Sequence, residues 1–281
     1  MLVWLIVVVG IILLLLGLFL CGLHYPKLLT TEVYELSSPK IKKDYKIALL
    51  TDYHSCCDCK RNAKIRTILQ ENQPDAVFIA GDMFVKTGKE LSETMRFLHS
   101  ISYDYRVYFA PGNHEKELVN RDFFYDHIDI SCLYYLENDV VPIGGNILIY
   151  GLDLPLDYYG KFWENKELTA DDVTGYLGDY NEDVFSIVLA HNPEHFDAYA
   201  EWGGDLILSG HMHGGIMRLP KLGGVIAPSL RLFPKYDAGK FQKGDKTMIV
   251  SRGVGQHTIK LRFFNKPEIS IINLTCQKEE K

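Results

Sequence analysis

The sequence predicts an α/β fold built on parallel strands, and three observations predict it. Short apolar runs and helical stretches alternate between residues 46 and 110 as strand, helix, strand, helix, strand. That order implies parallel strands joined by right-handed crossovers. Several of these runs, and two later ones, stop at a short polar block. Ligands of open α/β sheets bind there, outside the carboxyl ends of the strands. Roughly 250 residues follow an apolar N-terminus without repeats or low-complexity linkers, which suits one large domain.

Taken in order, residues 2–23 are an apolar run without a charge. At about 1.5 Å per residue a helix of that length reaches about 33 Å, against a bilayer core of about 30 Å. No Lys or Arg precedes the run, and no small-residue cleavage site follows it. It also exceeds the apolar core of about 7–15 residues in a secretory signal. Bulky Leu20 before Cys21 argues against a lipoprotein signal. The expectation is an uncleaved transmembrane anchor over residues 1–23. Residues 24–43, with breaks at Pro26, Ser37, Ser38 and Pro39, read as a juxtamembrane connector. Residues 44–281 read as the folded domain. Lys27, Lys40, Lys42 and Lys43 follow the anchor, so charge favours the cytoplasmic side of the cell membrane.

Within the domain, residues 46–50, 76–80 and 106–110 read as strands. Residues 60–72 have helical composition, broken at Pro74. Residues 88–100 carry Leu91, Met95 and Leu98 on one helical face. Later strands are expected at 147–152, 185–190, 206–209, 248–250 and 269–274. A net charge of -6 argues against a general affinity for nucleic acid. It leaves room for a small phosphorylated substrate, because bound cations invert the local field. Cys56, Cys57 and Cys59 crowd together, while Cys132 and Cys276 are isolated. Partner cysteines at zinc-finger spacing are missing, so loop thiols without a ligand role are expected. A disulfide to Cys132 would require a domain outside the cell.

Five polar blocks carry the chemistry. They are Asp52-Tyr53-His54, Gly81-Asp82, Gly112-Asn113-His114-Glu115, a lone His191, and Gly210-His211-Met212-His213. Asp52 and His54 are two apart, as are His211 and His213, so each pair can turn toward one ion. Asp82 has two oxygens and can bridge two ions, and Asn113 offers a neutral amide oxygen. Gly210, Gly214 and Gly215 let the last loop bend close to a metal cluster. Mixed imidazole and carboxylate ligands suit Mn, Fe, Zn, Ni or Co rather than Ca or Mg. Two such ions about 3.5–4 Å apart hold a bridging hydroxide and clamp both oxygens of an in-line displacement. Each block alone has an ordinary reading as a turn or helix cap. All five in one order at strand ends point to a two-metal hydrolytic site. Tyr53, Tyr158, Tyr159, Phe162 and Trp163 are candidates for a substrate pocket, with core packing the alternative. Asp153 reads as a turn residue, and Ser251 lacks a nucleophile elbow.

These blocks resemble the signature of the calcineurin-like metallophosphoesterase family over residues 44–255. The apolar N-terminus and Ser251-Arg252-Gly253-Val254-Gly255 resemble its membrane-associated bacterial branch. The resemblance implies two packed mixed β-sheets flanked by helices, a four-layer sandwich with the metals at one edge. By motif it implies Asp52, His54, Asp82 and His213 as ligands of one divalent ion. Asp82, Asn113, His191 and His211 would hold the other. His114 would contact the substrate phosphate beside Asn113, or protonate the leaving oxygen. Glu115 would orient His114 or form a salt bridge. Val85 departs from the family, where many members carry a second Asp, and its effect is expected on support of the ligands.

The function expected is a membrane-anchored phosphoesterase acting on a phosphodiester, pyrophosphate or phosphomonoester. Relatives in that branch are linked to UDP-2,3-diacylglucosamine hydrolysis in lipid A biosynthesis, which implies a lipid-linked substrate. A non-catalytic metal-binding scaffold and a nuclease of the same fold are the alternatives. The intact ligand set argues against the first, and the acidic charge against the second.

Overall fold

A computed structural model describes residues 2–128, 132–161, 163–164, 166–215, 217–219, 221–255 and 262–277. Helix α1 (Leu2–His24) leads into the edge strand β1 (Thr30–Ser38). The first half of the domain then runs β2 (Tyr45–Leu50), α2 (Cys59–Asn72), β3 (Ala76–Ala80), α3 (Leu91–Ser102) and β4 (Arg106–Ala110). A single turn α4 (Asn113–Lys116), α5 (Arg121–Ile128) and β5 (Leu133–Tyr135) complete it. The second half runs β6 (Asp139–Gly144), β7 (Ile147–Leu152), α6 (Ala170–Leu177), β8 (Phe185–Ala190), α7 (Phe196–Trp202) and β9 (Leu206–Ser209). A small ribbon of β10 (Arg218–Leu219) and β11 (Gly223–Gly224) follows. The chain closes with β12 (Gly239–Lys243), β13 (Lys246–Val250) and β14 (Glu268–Cys276).

Two six-stranded sheets form, in the orders β1-β14-β2-β3-β4-β5 and β12-β13-β9-β8-β7-β6. Both are mixed. β2, β3, β4 and β5 are parallel, with β14 antiparallel to β2; β7, β8, β9 and β13 are parallel, with antiparallel β6 and β12 at the edges. Strand side chains alternate between faces, and the core follows that alternation. Ile47, Leu49, Phe78 and Tyr108 face Ile149, Ile187, Leu206 and Leu208 between the sheets. Ala48, Leu50, Val77 and Phe109 pack outward on Ile65, Leu69, Met95 and Leu98 of α2 and α3. Val188 and Ile207 pack on Phe196, Tyr199 and Trp202 of α7. Each fully buried Val, Leu, Ile, Phe or Met side chain among them contributes about 1.5–3 kcal/mol of burial. With both faces covered, β3 and β8 read as continuous apolar runs. The layers are helix, sheet, sheet, helix, as the family resemblance implied.

Part of the expected connector is sheet. β1 pairs in parallel with β14, from Thr30 opposite Glu268 to Ser38 opposite Cys276. Tyr34 and Leu36 pack against the inter-sheet core, while Val33 and Glu35 point to solvent. Only residues 25–29 therefore remain between α1 and the sheet.

The backbone of α1 is one helix of 23 residues. The side chains of Leu2, Val3, Leu5, Leu14, Leu15, Leu18 and Cys21 lie outside the described residues. Among the described residues no helix is long and apolar enough to cross a membrane. The last turn of α1 meets the domain, where the Arg262 N–H donates to the Gly22 carbonyl at 3.1 Å.

Candidate metal centre

Five strand ends converge on one edge of the two sheets. β2, β3 and β4 deliver Asp52, Asp82 and Asn113 from the first sheet, and β8 and β9 deliver His191 and the His211–His213 loop from the second. Backbone bonds tie the loops together. The Asp52 N–H donates to the Gly81 carbonyl at 3.1 Å, His54 N–H to Asp82 at 3.0 Å, and Gly210 N–H to His191 at 3.1 Å. Asp52, His54, Asp82, His211 and His213 all sit at positive φ, between 49° and 67°. Non-glycine residues adopt that region rarely and at a cost, and such strain clusters at functional sites. Gly112 lies so close to Asp82 that a β-carbon on it would meet Asp82 Oδ1 at 2.3 Å. At Gly210 a β-carbon would meet Asp52 Oδ2 at 2.5 Å. Only glycine lets these loops approach.

The side chains form two groups suited to cations, Asp52 with His54 and His213, and Asp82 with His191 and His211. A third group joins His54, Asp82 and His114 across the middle. His54 Nε2 faces His213 Nε2 at 3.0 Å, and His213 Nε2 lies 3.3 Å from Asp52 Oδ1. Asp82 Oδ2 is 3.2 Å from His191 Nε2 and 3.9 Å from both His54 Nε2 and His114 Nε2. The donor set fits divalent ions on two further observations. Asn113 Oδ1 is buried without a hydrogen-bond partner. His191 Nδ1 lies 2.7 Å from the Ala80 carbonyl, so Nδ1 carries the hydrogen and Nε2 is left as the ligand atom.

The electrostatics are those of a site assembled for positive charge. Burial pushes Asp52 up to about 6, against the pull of His191 and with a push from the Asp82 charge. Burial also acts to raise Asp82, but His191 and His114 outweigh it and hold its carboxyl well below the usual range. Burial alone would lower His191; Asp82 raises it to about 9. Metal binding requires neutral imidazoles, so a cation there displaces protons.

Glu115 does something other than expected. Its buried carboxylate accepts the N–H groups of Gly112 and Asp82, both at 2.8 Å, and of Phe84 at 3.0 Å. It thereby clasps the Gly81-Asp82 loop to the Gly112-Asn113 loop. Burial, aided by the Asp82 charge, raises its pKa despite those three donors. His114 is held by its own backbone, whose N–H donates to Asp82 Oδ1 at 2.9 Å, and its side chain keeps 16% exposure. The Val85 N–H donates to Ser55 Oγ at 3.3 Å, so this loop is supported without a second Asp.

The aromatic candidates divide. Tyr53 stacks on Phe97 at 4.9 Å in the core, and its hydroxyl donates to Asn62. Tyr158 is also core. Tyr159 is the one at the site, its ring 5.5 Å from His211 and 6.0 Å from His191. Trp163 is exposed, and Phe162 lies outside the described residues. Asp153 pairs with Lys116 at 2.7 Å. None of Cys56, Cys57, Cys59, Cys132 and Cys276 joins a metal-type group among the described residues.

Arg262 was not legible in the sequence. Its buried guanidinium donates to the carbonyls of Arg252 at 2.8 Å and Gly255 at 2.9 Å, and lies 3.4 Å from His213 Nδ1. Burial lowers its pKa to about 10. It stands 49 residues beyond His213 with no motif around it.

The sequence profile of the Calcineurin-like phosphoesterase family matches residues 45–215. An uncharacterised metallophosphoesterase of Campylobacter jejuni is 30% identical over 257 residues, which is 87% of this chain. The match spans 63% of that relative, so the chain covers less than two thirds of its length. The UDP-2,3-diacylglucosamine pyrophosphatase of Chlamydia muridarum is 30% identical over 149 residues, 49% of this chain and 40% of that protein. A candidate 5′-nucleotidase of Staphylococcus aureus has a similar fold, with TM-score 0.50 at 11% identity over 85% of this chain and 55% of the other.

Proposed function

The chain belongs to the calcineurin-like phosphoesterase family, and from that premise we propose a membrane-anchored two-metal phosphohydrolase. It cleaves a phosphodiester, pyrophosphate or phosphomonoester bond. The observation that carries the reading is the meeting of the Asp52–His54–His213 and Asp82–His191–His211 groups at one edge. Asp52, His54, Asp82 and His213 would hold one divalent ion, and Asp82, Asn113, His191 and His211 the other. When bound, the ions activate water and neutralise the charge of the phosphate.

The chain's own residues supply the rest. Asp82 would serve both ions, and its position is fixed by the hydrogen bonds that Glu115 accepts from the N–H groups of Asp82 and Gly112. His114, partly open to solvent, contacts the phosphate and gives a proton to the leaving oxygen. Imidazole suits that work because it titrates near neutrality. Tyr159 walls the side beside His191 and His211 and limits entry of water.

The substrate is lipid-linked or membrane-proximal in this reading. Its support is the apolar α1 sequence and the likeness to a UDP-2,3-diacylglucosamine pyrophosphatase. The domain faces the cytoplasm, with Lys27 next to the anchor.

The test follows hydrolysis of an aryl phosphodiester by the full chain in detergent, with Mn and with chelator. Metal-dependent turnover that falls more than about 100-fold in Asp82→Asn supports the reading, since partners that only support ligands typically cost about 10–100-fold. Turnover that survives both chelation and Asp82→Asn would contradict it.

A further inference from the structure

We propose that residues 217–219 and 221–235, with Phe264 and Lys266, form a surface that docks on an anionic phospholipid bilayer. This is the membrane that holds α1, so the proposal rests on the anchor reading. Four large apolar side chains stand more than half exposed there: Leu222 at 67%, Leu232 at 64%, Phe233 at 56% and Phe264 at 53%. Leu230, at 46%, lies in the same segment, and among the other described residues beyond α1 the exposed large apolar ones occur singly along the sequence. Single exposed apolar residues are ordinary, whereas a cluster with a polar rim marks an interaction surface.

The loop is built rather than slack. Phe233 N–H donates to the Val225 carbonyl at 2.9 Å, Ala227 N–H to Arg231 at 2.9 Å, and Leu230 N–H to Ala227 at 3.0 Å. Leu230, Phe233 and Phe264 are held at positive φ, 63°, 47° and 51°, a conformation bulky residues seldom take.

Charge selects the partner. From Gly214 to Tyr236 the chain has Arg218, Lys221, Arg231 and Lys235 and no acidic residue, within a protein of net charge -6. Arg218 pairs with Asp237 at 2.9 Å and Arg231 with Glu194 at 3.2 Å. Lys235 is loosely placed at 3.9 Å from Asp197. Lys221 and Lys266 have no ion-pair partner among the described residues. Arg218, Lys221, Leu222, Lys235 and Phe264 share one hollow of about 510 Å³, with Asp237 in its wall. Apolar side chains that enter the headgroup boundary beside Lys and Arg are the arrangement that holds a protein on an anionic bilayer.

Position selects the same occupant. Phe264 packs edge-to-face on Tyr25, one residue past α1, with ring centres 5.6 Å apart. Gly22 lies against the Phe263 ring, where a β-carbon would clash at 2.6 Å. The surface thus begins where α1 ends. It is also tied to the metal loop, through Asn265 Nδ2 donating to the His213 carbonyl at 2.7 Å and Arg218 to Gly214 at 3.2 Å. Docking would hold the site at the lipid interface.

Hydrogen exchange of the full chain in nanodiscs tests this, with phosphatidylcholine alone or mixed with phosphatidylglycerol. Amides of 222–233 are expected to slow in the anionic discs, and to speed up again at high salt. They are expected to stay fast in Leu232→Glu/Phe233→Glu and in Lys221→Glu/Lys266→Glu, while metal-dependent hydrolysis of a soluble aryl ester is kept. Equal exchange of 222–233 in all discs, with α1 protected, overturns the docking surface and leaves the anchor standing. Free exchange of α1 in the discs overturns the anchor reading, and the docking proposal with it.

Discussion

Charged side chains gather at both ends of the second sheet's strands, at the carboxyl ends together with residues from the first sheet, and the two gatherings are built differently. At the amino ends, Asp205 precedes β9 and takes Lys40 Nζ at 3.0 Å, Lys246 Nζ at 2.8 Å and the Ser186 N–H at 3.0 Å. The hydroxyl of Tyr180 completes the cluster by accepting from Lys40. At the carboxyl ends, the Asp52 and Asp82 carboxylates lie within 4 Å of the imidazoles of His54, His114, His191 and His213, His211 joins the Asp82–His191 group, and the Asn113 amide oxygen is buried without a partner. One cluster is satisfied by the protein; the other is arranged for something the protein does not supply. Buried polar groups without partners are costly, and the positive φ at Asp52, His54, Asp82, His211 and His213 adds to that cost. The lesson is that satisfaction, rather than the mere presence of charge, separates a ligand site from a structural clasp.

Three substitutions sharpen that contrast. The largest effect is expected from His114→Ala. Removing a general acid typically costs about 10²–10⁴ in rate, so turnover should fall within that range while elemental analysis still finds the parent metal content. Parent-like turnover would remove His114 from the mechanism. Next, Asp205→Asn should leave metal content and turnover untouched and destabilise the fold. The loss is about 2–3 kcal/mol, below that of a fully buried pair because Lys40 and Lys246 retain some solvent. Denaturant unfolding beside a metal assay checks it, and a loss of metal would break the comparison.

The smallest effect concerns His195, which is buried and neutral. Burial lowers its pKa below the usual 6.5, against a bond to the Tyr158 carbonyl. A lowered folded-state pKa means that the unfolded chain takes the proton first. Stability from this group is therefore full above 6.5 and declines as pH falls from there through the folded-state value. His195→Gln should flatten that part of the stability–pH curve. An unchanged slope as pH falls below 6.5 would assign the acid sensitivity elsewhere.

What the sequence made legible follows from geometry. The five polar blocks could be read because each follows an apolar run, and strand ends of α/β sheets are where ligands meet. β1 escaped because it is an edge strand, with Tyr34 and Leu36 inward and Val33, Glu35 and Ser37 outward, and so resembles a linker. β6 escaped for a related reason: Pro142 sits within it next to a register shift. Glu115 was visible as the last residue of its block, but the amides it binds at Asp82 and Phe84 lie 33 and 31 residues away. Arg262 carries no periodic or motif signal, and only folding brings it to His213.

The central claim is that the carboxyl-end cluster is held together around two ions, and metal content tests it most directly. The full chain and Asp82→Asn would be measured by elemental analysis after dialysis, with Asp205→Asn as the structural control. The account predicts two divalent ions per chain in the parent and in Asp205→Asn, and loss of both in Asp82→Asn. Two ions retained in Asp82→Asn, or none in a folded parent supplied with Mn, would contradict it.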